Sequence, residues 1–233
     1  MQWRGRVDPA YMAQLLSAPE DEVLYEVRDG VAIITFNRPE KLNAFDTSLY
    51  RAVAGALDTD RADDAVHVTV LTGAGRAFSA GQDLDEALAL EWQQIVPWLT
   101  AQHAMYQAVR ELDKPCVAAI NGVAAGAGFQ VALCADWRVI APDTKIGQPE
   151  IKAGLASIVG SYLMTLHVGL THNIGLSLTG ELVTGQRAYE LGLVSELARG
   201  GEVLLAACRR AHEMAQLPAT PMRVSKRRFR ELT

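Results

Sequence analysis

Two stretches rich in glycine and alanine are the part of this sequence whose residue types could take part in chemistry. One spans residues 73–84 and includes the segment FSAGQDL, and the other spans residues 122–128 with the sequence GVAAGAG. Each follows an apolar, β-rich run and precedes a helical pattern, so each predicts a strand-to-helix turn. The first backbone N–H groups of a helix have no partner within the helix and favour negative charge. Two such groups that converge on one point form an oxyanion hole, which suits a thioester carbonyl that becomes an enolate.

A phosphate-binding loop is the first alternative for glycine-rich turns, and the sequence argues against it. Neither stretch is followed by the Lys-Ser/Thr pair of a P-loop, and residues 122–128 do not match GxGxxG in register. Close packing of the backbone is the simplest structural reason for a lone glycine cluster. The glycines by themselves therefore identify no ligand.

The elements that must position these turns alternate between strands and helices. Asp29-Gly30 lies between two alternating runs and predicts an antiparallel hairpin over residues 23–36. The β-rich run at residues 66–71 is typical of a strand in a sheet that is covered on both faces, and Asp46 predicts a helix N-cap. Further strands are predicted at residues 116–120 and 137–141, and helices at residues 92–112, 129–136, 157–168, 185–191, 201–215 and 221–231. This alternation predicts an α/β fold with parallel strands and right-handed crossovers.

Composition excludes several classes of protein. The 22 Lys and Arg residues against 27 Asp and Glu give a net charge of −5, so the chain lacks the basic surface that nucleic acid requires. A hydrophobic content of 49% is that of an ordinary globular protein. Cys116, Cys134 and Cys208 match no disulfide framework and no zinc motif. The most apolar window, residues 116–135, is too interrupted by glycine and polar residues to span a membrane.

Three segments are predicted along the chain. Residues 1–22 show no sustained periodicity and are predicted to form an N-terminal arm with one short helix over residues 9–16. Residues 23–200 are predicted to form the core, and residues 201–233 a helical C-terminal region. The N-terminus carries no long apolar segment of the secretory type, so we expect a cytoplasmic protein.

Six short motifs carry a resemblance to a known family. They are RPEKLNA at 38–44, AFSAGQDL at 77–84, KP at 114–115, NGVAAGAG at 121–128, CAD at 134–136 and GQPEIKAG at 147–154. In this order and spacing they resemble the crotonase, or enoyl-CoA hydratase/isomerase, superfamily. The resemblance implies an α/β spiral of ββα units with a helical C-terminal region, assembled as a homotrimer or a dimer of trimers. Relatives usually continue with further helices, so we expect the C-terminal region after residue 200 to be shorter here.

The resemblance also implies the ligand and the residues that bind it. An acyl-CoA thioester would bind with its carbonyl between the backbone N–H groups of Gln82 and Ala127. Contacts to the CoA and acyl parts are carried over by position to Lys41, Leu42, Ala44, Ala80, Gln82, Asp83, Leu84, Gly126 and Pro149. No metal is implied, and coenzyme A enters only as part of the substrate. No nucleic acid or membrane partner is expected.

The catalytic carboxylates are where this sequence departs from the hydratase pattern. Hydratases of the family use two glutamates, and here Glu150 is present while the other position is Gln130. An amide can hold a water or a substrate oxygen, but it cannot accept and return a proton near neutral pH. A single glutamate suits the shift of a double bond between the 3- and 2-positions of an enoyl thioester. In isolation, Glu150 would be interpreted as a surface acid after a proline, and its place in GQPEIKAG reverses that interpretation.

Several alternatives to an isomerase stay open at this stage. The Gly-Phe-Gln segment at 128–130 is also similar to the carboxymethylproline synthase branch, which forms a carbon–carbon bond through a thioester enolate. A 2-enoyl-CoA hydratase, a decarboxylating enzyme and a non-catalytic acyl-CoA-binding protein share the same predicted oxyanion hole. These activities differ in the electrophile or in the proton transfers, which the motifs do not distinguish.

Overall fold

The computed structural model describes residues 22–232, and its strands form two sheets. The strands are β1 (Val23–Arg28), β2 (Val31–Phe36), β3 (Val68–Gly73), β4 (Ala77–Ser79), β5 (Cys116–Ile120), β6 (Val123–Ala125), β7 (Trp137–Ile140), β8 (Lys145–Gly147), β9 (Leu182–Thr184) and β10 (Glu196–Leu197). The helices are α1 (Thr47–Ala62), α2 (Leu84–Ala89), α3 (Trp92–Arg110), α4 (Ala127–Cys134), α5 (Ile158–Thr165), α6 (Leu170–Thr179), α7 (Gly185–Leu191), α8 (Val203–Ala215) and α9 (Ala219–Arg230). Single 3-10 turns cover Pro39–Lys41 and Pro149–Ala153.

The larger sheet has six strands in the order β1-β2-β3-β5-β7-β10. The first pair is antiparallel, with Arg28 opposite Val31, which confirms the hairpin predicted around Asp29-Gly30. The turn residues have φ angles of 47° and 77°, the left-handed backbone that a tight hairpin turn requires. All later pairs in this sheet are parallel, which confirms the α/β prediction.

A strand–strand–helix unit repeats along the chain. A strand of the large sheet is followed by a three-residue strand of the second sheet and then by a helix, as in β3-β4-α2 and β5-β6-α4. The second sheet has the order β4-β6-β8-β9. The sequence predicts only a loop at residues 73–84 and only a turn at residues 122–128, and both predictions are wrong because β4 and β6 lie within them. Three-residue strands made mostly of small side chains carry no alternating pattern that could reveal them.

The large sheet is covered on both faces, as the continuous β-rich run predicts. Successive residues of β5 point in opposite directions: Ala118 joins the cluster that includes α1 and α3, and Val117 joins the cluster that includes α8. In the first cluster, the rings of Phe36, Phe45 and Phe78 meet edge to face at 5.2 Å. This aromatic contact fixes the loop after β2 against β4, and so positions one wall of the site.

Other predicted elements are found with small changes in their bounds. Asp46 caps α1, since its Oδ1 accepts the backbone N–H of Leu49 at 2.8 Å, and α7 spans the predicted residues. The predicted helix over residues 9–16, and nearly all of the predicted arm, lie outside the described residues. Helices α2 and α6 are missing from the sequence prediction, which contains no helix at those positions.

Candidate functional site

One cavity of about 560 Å³ collects most of the residues singled out from the sequence. Its walls come from the loop before α2, the start of α4, the turn Pro149–Ala153, the start of α5 and one face of α3. The lining includes Ala80, Gly81, Gln82, Leu84, Gly126, Ala127, Gln130, Pro149 and Glu150. The cavity therefore brings together segments that are distant along the chain: the two glycine-rich stretches and the GQPE segment.

The loop that carries Gln82 is held by a short parallel ladder to the loop after β2. Phe45 donates its N–H to the carbonyl of Gly81 at 2.7 Å, and Asp83 donates to the carbonyl of Phe45 at 2.8 Å. The Gln82 side chain is also anchored, because its Oε1 accepts from the hydroxyl of Tyr50 at 2.6 Å and its Nε2 donates to the Phe45 carbonyl at 2.8 Å. The backbone of Gln82 is thereby fixed beside the cavity.

The second backbone donor comes from the start of α4. Gly126 precedes the helix with a φ of 49°, a left-handed conformation that favours glycine. Ala127 is the first helical residue, so its N–H has no acceptor within the helix. A Cβ on Gly81 would lie 3.6 Å from the Ala127 nitrogen, which shows how closely the two loops approach. Within residues 22–232, the N–H groups of Gln82 and Ala127 have no protein acceptor, and both residues line the cavity.

Glu150 lies beside this pair of donors. A Cβ on Gly126 would be only 3.3 Å from Glu150 Oε1, so the absence of a side chain there leaves room for the carboxyl group. Burial raises the pKa of Glu150 above its ordinary value, and hydrogen bonds from its own backbone and from Gln130 oppose the increase. Among the described residues that line the cavity, Glu150 is the only ionisable one.

Gln130 is bonded to its neighbours rather than free to hold a water. Its Nε2 donates to Glu150 Oε1 at 2.8 Å. Its Oε1 accepts from the hydroxyl of Tyr106 at 2.8 Å. Only 6% of the surface of Gln130 is exposed, so this buried amide holds one oxygen of Glu150 in position by a hydrogen bond.

Comparison with known proteins identifies the family to which this arrangement belongs. Residues 26–232 match the family model described as Enoyl-CoA hydratase/isomerase. The chain belongs to the enoyl-CoA hydratase/isomerase family. This confirms the resemblance seen in the sequence motifs.

Relatives in the family carry different activities. The chain is 36% identical over 213 residues to a carboxymethylproline synthase from Pectobacterium carotovorum, covering 88% of this chain and 83% of that protein. It is 33% identical over 178 residues to a trans-2-decenoyl-[acyl-carrier-protein] isomerase from Streptococcus mutans, covering 74% and 68%. The solved structure of an enoyl-CoA hydratase/carnithine racemase from Magnetospirillum magneticum superposes with a TM-score of 0.87 at 26% identity, covering 92% of this chain and 82% of that one. The crotonase-like fold is thus confirmed, and the relatives do not single out one reaction.

Three residues beside the site, Tyr50, Gln102 and Tyr106, had no chemical signal in the sequence. Tyr50 and Gln102 form hydrogen bonds on the side of Gln82, and Tyr106 donates to Gln130 on the side of Glu150. Gln102 Nε2 donates to the Tyr50 hydroxyl at 2.9 Å. Burial raises the pKa of both tyrosines, so they serve as neutral hydrogen-bonding groups. The two tyrosines lie on long helices whose periodic pattern predicts core positions, so only the packing of α1 against α3 shows their polar contacts.

The residues carried over as CoA contacts separate into two groups. Those that line the cavity are Ala80, Gln82, Leu84, Gly126 and Pro149, whereas those outside its lining are Lys41, Leu42, Ala44 and Asp83. Lys41 forms an ion pair with Asp85 at 2.5 Å. Asp83 accepts from Arg38 at 3.2 Å and from the N–H of Asp85 at 3.1 Å, so it caps α2.

Among residues 22–232, no three His, Cys, Asp or Glu side chains are grouped closely enough to hold a metal ion. No helix in this part of the chain has the length and apolar character needed to cross a bilayer.

Proposed function

We propose that this family member moves a proton within an enoyl thioester and so isomerises a 3-enoyl to a 2-enoyl group, with Glu150 as the single acid/base. The observation that carries the proposal is the pairing of one carboxyl group with an amide. Gln130 stands where a second carboxylate would be needed, and its Nε2 is bonded to Glu150 at 2.8 Å. One acid/base is sufficient for an isomerisation, whereas hydration requires a water to be activated as well.

The proposed reaction has two proton transfers through one enolate. The Glu150 carboxylate removes a proton from the carbon next to the thioester carbonyl, and the electrons of the broken C–H bond move onto the carbonyl oxygen. The N–H groups of Gln82 and Ala127 would stabilise the negative charge on that oxygen. Glu150 then returns the proton to the carbon at the far end of the conjugated system, and the double bond moves next to the carbonyl. Atoms and charge balance without a second reactant.

The walls of the cavity favour an acyl group without charge. Beyond Glu150 the cavity is lined by Leu84, Trp98, Leu99, Ile158 and Val159, and no described lining residue carries a positive charge. An acyl group with a free carboxylate would face the Glu150 carboxylate with no counter-charge, which is unfavourable in a partly buried site. This supports an apolar enoyl chain over a dicarboxylic one.

A panel of thioesters tests the proposed reaction. We expect turnover of 3-enoyl-CoA substrates to 2-enoyl products, and weak or absent hydration of 2-enoyl-CoA. Efficient hydration of crotonyl-CoA would contradict the proposal. Formation of a carbon–carbon bond from a carboxylated acyl-CoA would instead favour a synthase of the type named among the relatives, and binding without turnover of any thioester would favour an acyl-CoA-binding role.

Replacing Gln130 by glutamate should create measurable hydration of 2-enoyl-CoA. The new carboxyl group would lie within hydrogen-bond distance of Glu150, where the amide now lies at 2.8 Å. Repulsion between two carboxylates at that distance raises the proton affinity of one of them, so the pair titrates jointly. The gain should therefore appear with a bell-shaped pH profile that the parent lacks. Gln130→Met, which adds no carboxyl group, is the control and should not hydrate the substrate.

The pH dependence of isomerisation should show the raised pKa of Glu150. The base must be ionised to accept a proton, so kcat/KM should fall on the acidic side with a midpoint above the ordinary glutamate pKa. In Gln130→Met, the hydrogen bond that lowers this pKa is lost, so the midpoint should move to still higher pH. An acidic midpoint at or below the ordinary value would show that Glu150 is not the titrating base.

Exposed apolar side chains on α5 and α6 support self-association, which we propose to be a trimer. Ile158, Leu170 and Leu178 are 72%, 67% and 67% exposed, so large apolar side chains on two helices in contact with each other face solvent. Sedimentation should give a trimer or hexamer mass for the parent and a smaller mass for the double variant Leu170→Glu/Leu178→Glu. A monomeric parent would contradict the proposal.

We propose that the protein is located in the cytoplasm, because its cysteines are not joined by disulfides. Cys116, Cys134 and Cys208 are free thiols in the structure, which fits a reducing compartment. Expressed as a fusion with a fluorescent protein, the chain should be found in the cytoplasmic fraction, and recovery with secreted protein would contradict this location.

A further inference from the structure

A second cavity, of about 330 Å³, lies beside the one that holds Glu150. It is bordered by the start of α1, by α2 and by the first half of α3. Among residues 22–232, Trp98 on α3 is the only one that lines both cavities. Trp98, which is half-buried, is therefore a shared wall between the two spaces.

Two successive hydrogen-bond contacts hold Trp98 in this wall. Its Nε1 donates to Glu86 Oε2 on α2 at 3.2 Å. The two oxygens of Glu86 in turn accept the backbone N–H of Thr47, the first residue of α1, at 3.1 and 3.0 Å. The start of a helix favours a negative charge, so the carboxylate is well placed there. A rotation of the indole out of the wall would break its bond to Glu86.

The two cavities differ in the chemistry of their lining. Around Trp98, the first cavity is lined by the apolar residues Leu84, Leu99, Ile158 and Val159. The second cavity is lined largely by polar residues, which are Thr47, Arg51, Glu86, Gln93 and Gln94. An apolar chain gains free energy by burial against the first set and little by contact with the second, whose polar groups it would leave without water.

One face of α3 leads from the reacting groups to Trp98. Tyr106, Gln102 and Trp98 are spaced four positions apart, so they lie on the same face of the helix. Tyr106 donates to Gln130, the partner of Glu150, and Gln102 lines the cavity one turn away. Trp98 follows after another turn and is the lining residue nearest the start of α3. A chain that starts beside Glu150 and lies along this face ends against the indole.

We propose that Trp98 determines the length of the acyl chain by closing the first cavity against the second. This inference rests on the proposed function, in which an apolar enoyl chain occupies the first cavity. A chain that ends before Trp98 is buried over its whole length. A longer chain must displace the indole and break its bond to Glu86, or turn into solvent, so its additional carbon atoms add no buried contact.

Binding of saturated acyl-CoA thioesters of increasing length, from butyryl-CoA upward, tests this role without turnover. Each methylene group that is buried in apolar surroundings should raise the affinity about fourfold. In the parent, calorimetric titration should show this increase up to one chain length and no increase beyond it. For a chain two carbon atoms beyond this limit, Trp98→Ala should bind about tenfold more tightly than the parent. Its affinity for butyryl-CoA should stay within a few-fold.

Two further variants separate the size of the wall from other effects of substitution. Trp98→Phe keeps a smaller ring, so it should move the limit to longer chains by less than Trp98→Ala does. Trp92→Ala is the matched control, because this tryptophan is on the same helix, is 82% exposed and lines neither cavity. It should keep the chain-length limit of the parent.

Three results would overturn the role of Trp98: a parent affinity that does not depend on chain length, an unchanged limit in Trp98→Ala, or an equal loss of affinity at every chain length. If the alanine variant does not fold, Trp98→Phe decides alone, and the parental limit there counts against the proposal. Isomerase turnover is measured separately. A shifted limit without isomerisation would contradict only the proposed function, and isomerisation with an unchanged limit would contradict only the role of Trp98.

Discussion

Glu150→Gln should lower isomerase turnover by about 100- to 10,000-fold while the affinity for an acyl-CoA thioester stays within a few-fold of the parent. The amide keeps the shape of the side chain but cannot take a proton from carbon. Binding would rest on backbone donors and on the loops around the cavity, which this change leaves intact. Steady-state kinetics and calorimetric titration with a non-reactive thioester measure the two effects.

The thermal stability of Glu150→Gln distinguishes a loss of catalysis from a loss of folded structure. Folding raises the pKa of Glu150, so the ionised carboxylate opposes folding as the pH rises from its ordinary pKa through the raised one. The Tm of Glu150→Gln at neutral pH should therefore equal or exceed that of the parent. Glu181→Gln, at an exposed position just before β9, is the matched control and should keep full activity. Near-full activity in Glu150→Gln would show that Glu150 is the wrong residue.

Ala127→Pro should lower kcat by about 100- to 1,000-fold, because proline has no N–H to face the thioester oxygen and one such donor contributes on the order of 3 kcal/mol. The structure makes this substitution more informative than the sequence alone suggests. Ala127 is the first residue of α4, and proline is well tolerated at that position because the N–H there has no partner in the helix. The expected variant is folded and binds the thioester, but turns over slowly.

Ala127→Gly is the comparison that isolates the missing donor. Glycine keeps the N–H and removes only a methyl group, so activity should stay within a few-fold of the parent. Circular dichroism and thioester binding should be similar for both variants. Equal activity of the proline and glycine variants would remove Ala127 from the oxyanion hole.

Local sequence signals predicted the elements that local physics controls. The hairpin follows from Asp29-Gly30, since these residues tolerate the left-handed backbone of its turn, and Asp46 starts α1 because its side chain accepts an N–H three residues on. Strands β4 and β6 left no comparable signal. They exist because neighbouring strands of the second sheet supply their hydrogen bonds, and that pairing joins residues far apart in the chain.

The same distinction between local signals and long-range contacts applies to the candidate site. The type and order of its residues, including Glu150 and the substitution of Gln130 for a second carboxylate, could be found in the sequence because the motifs are short and contiguous. The contacts of Gln130 could not be predicted from the sequence. Its amide nitrogen donates to Glu150, which is 20 positions away, and its oxygen accepts from Tyr106 on another helix.

The sequence by itself determined the family, the α/β class with its hairpin and parallel strands, and the presence of one glutamate without a second. Tertiary structure alone decided that the N–H groups of Gln82 and Ala127 border the same cavity, and that Glu150 is clamped by amides rather than by charges. The physical reason is the separation along the chain of the residues that interact. Turns, caps and periodicity depend on residues within a few positions, whereas a cavity and the hydrogen-bond partners of a buried amide depend on which distant segments pack together.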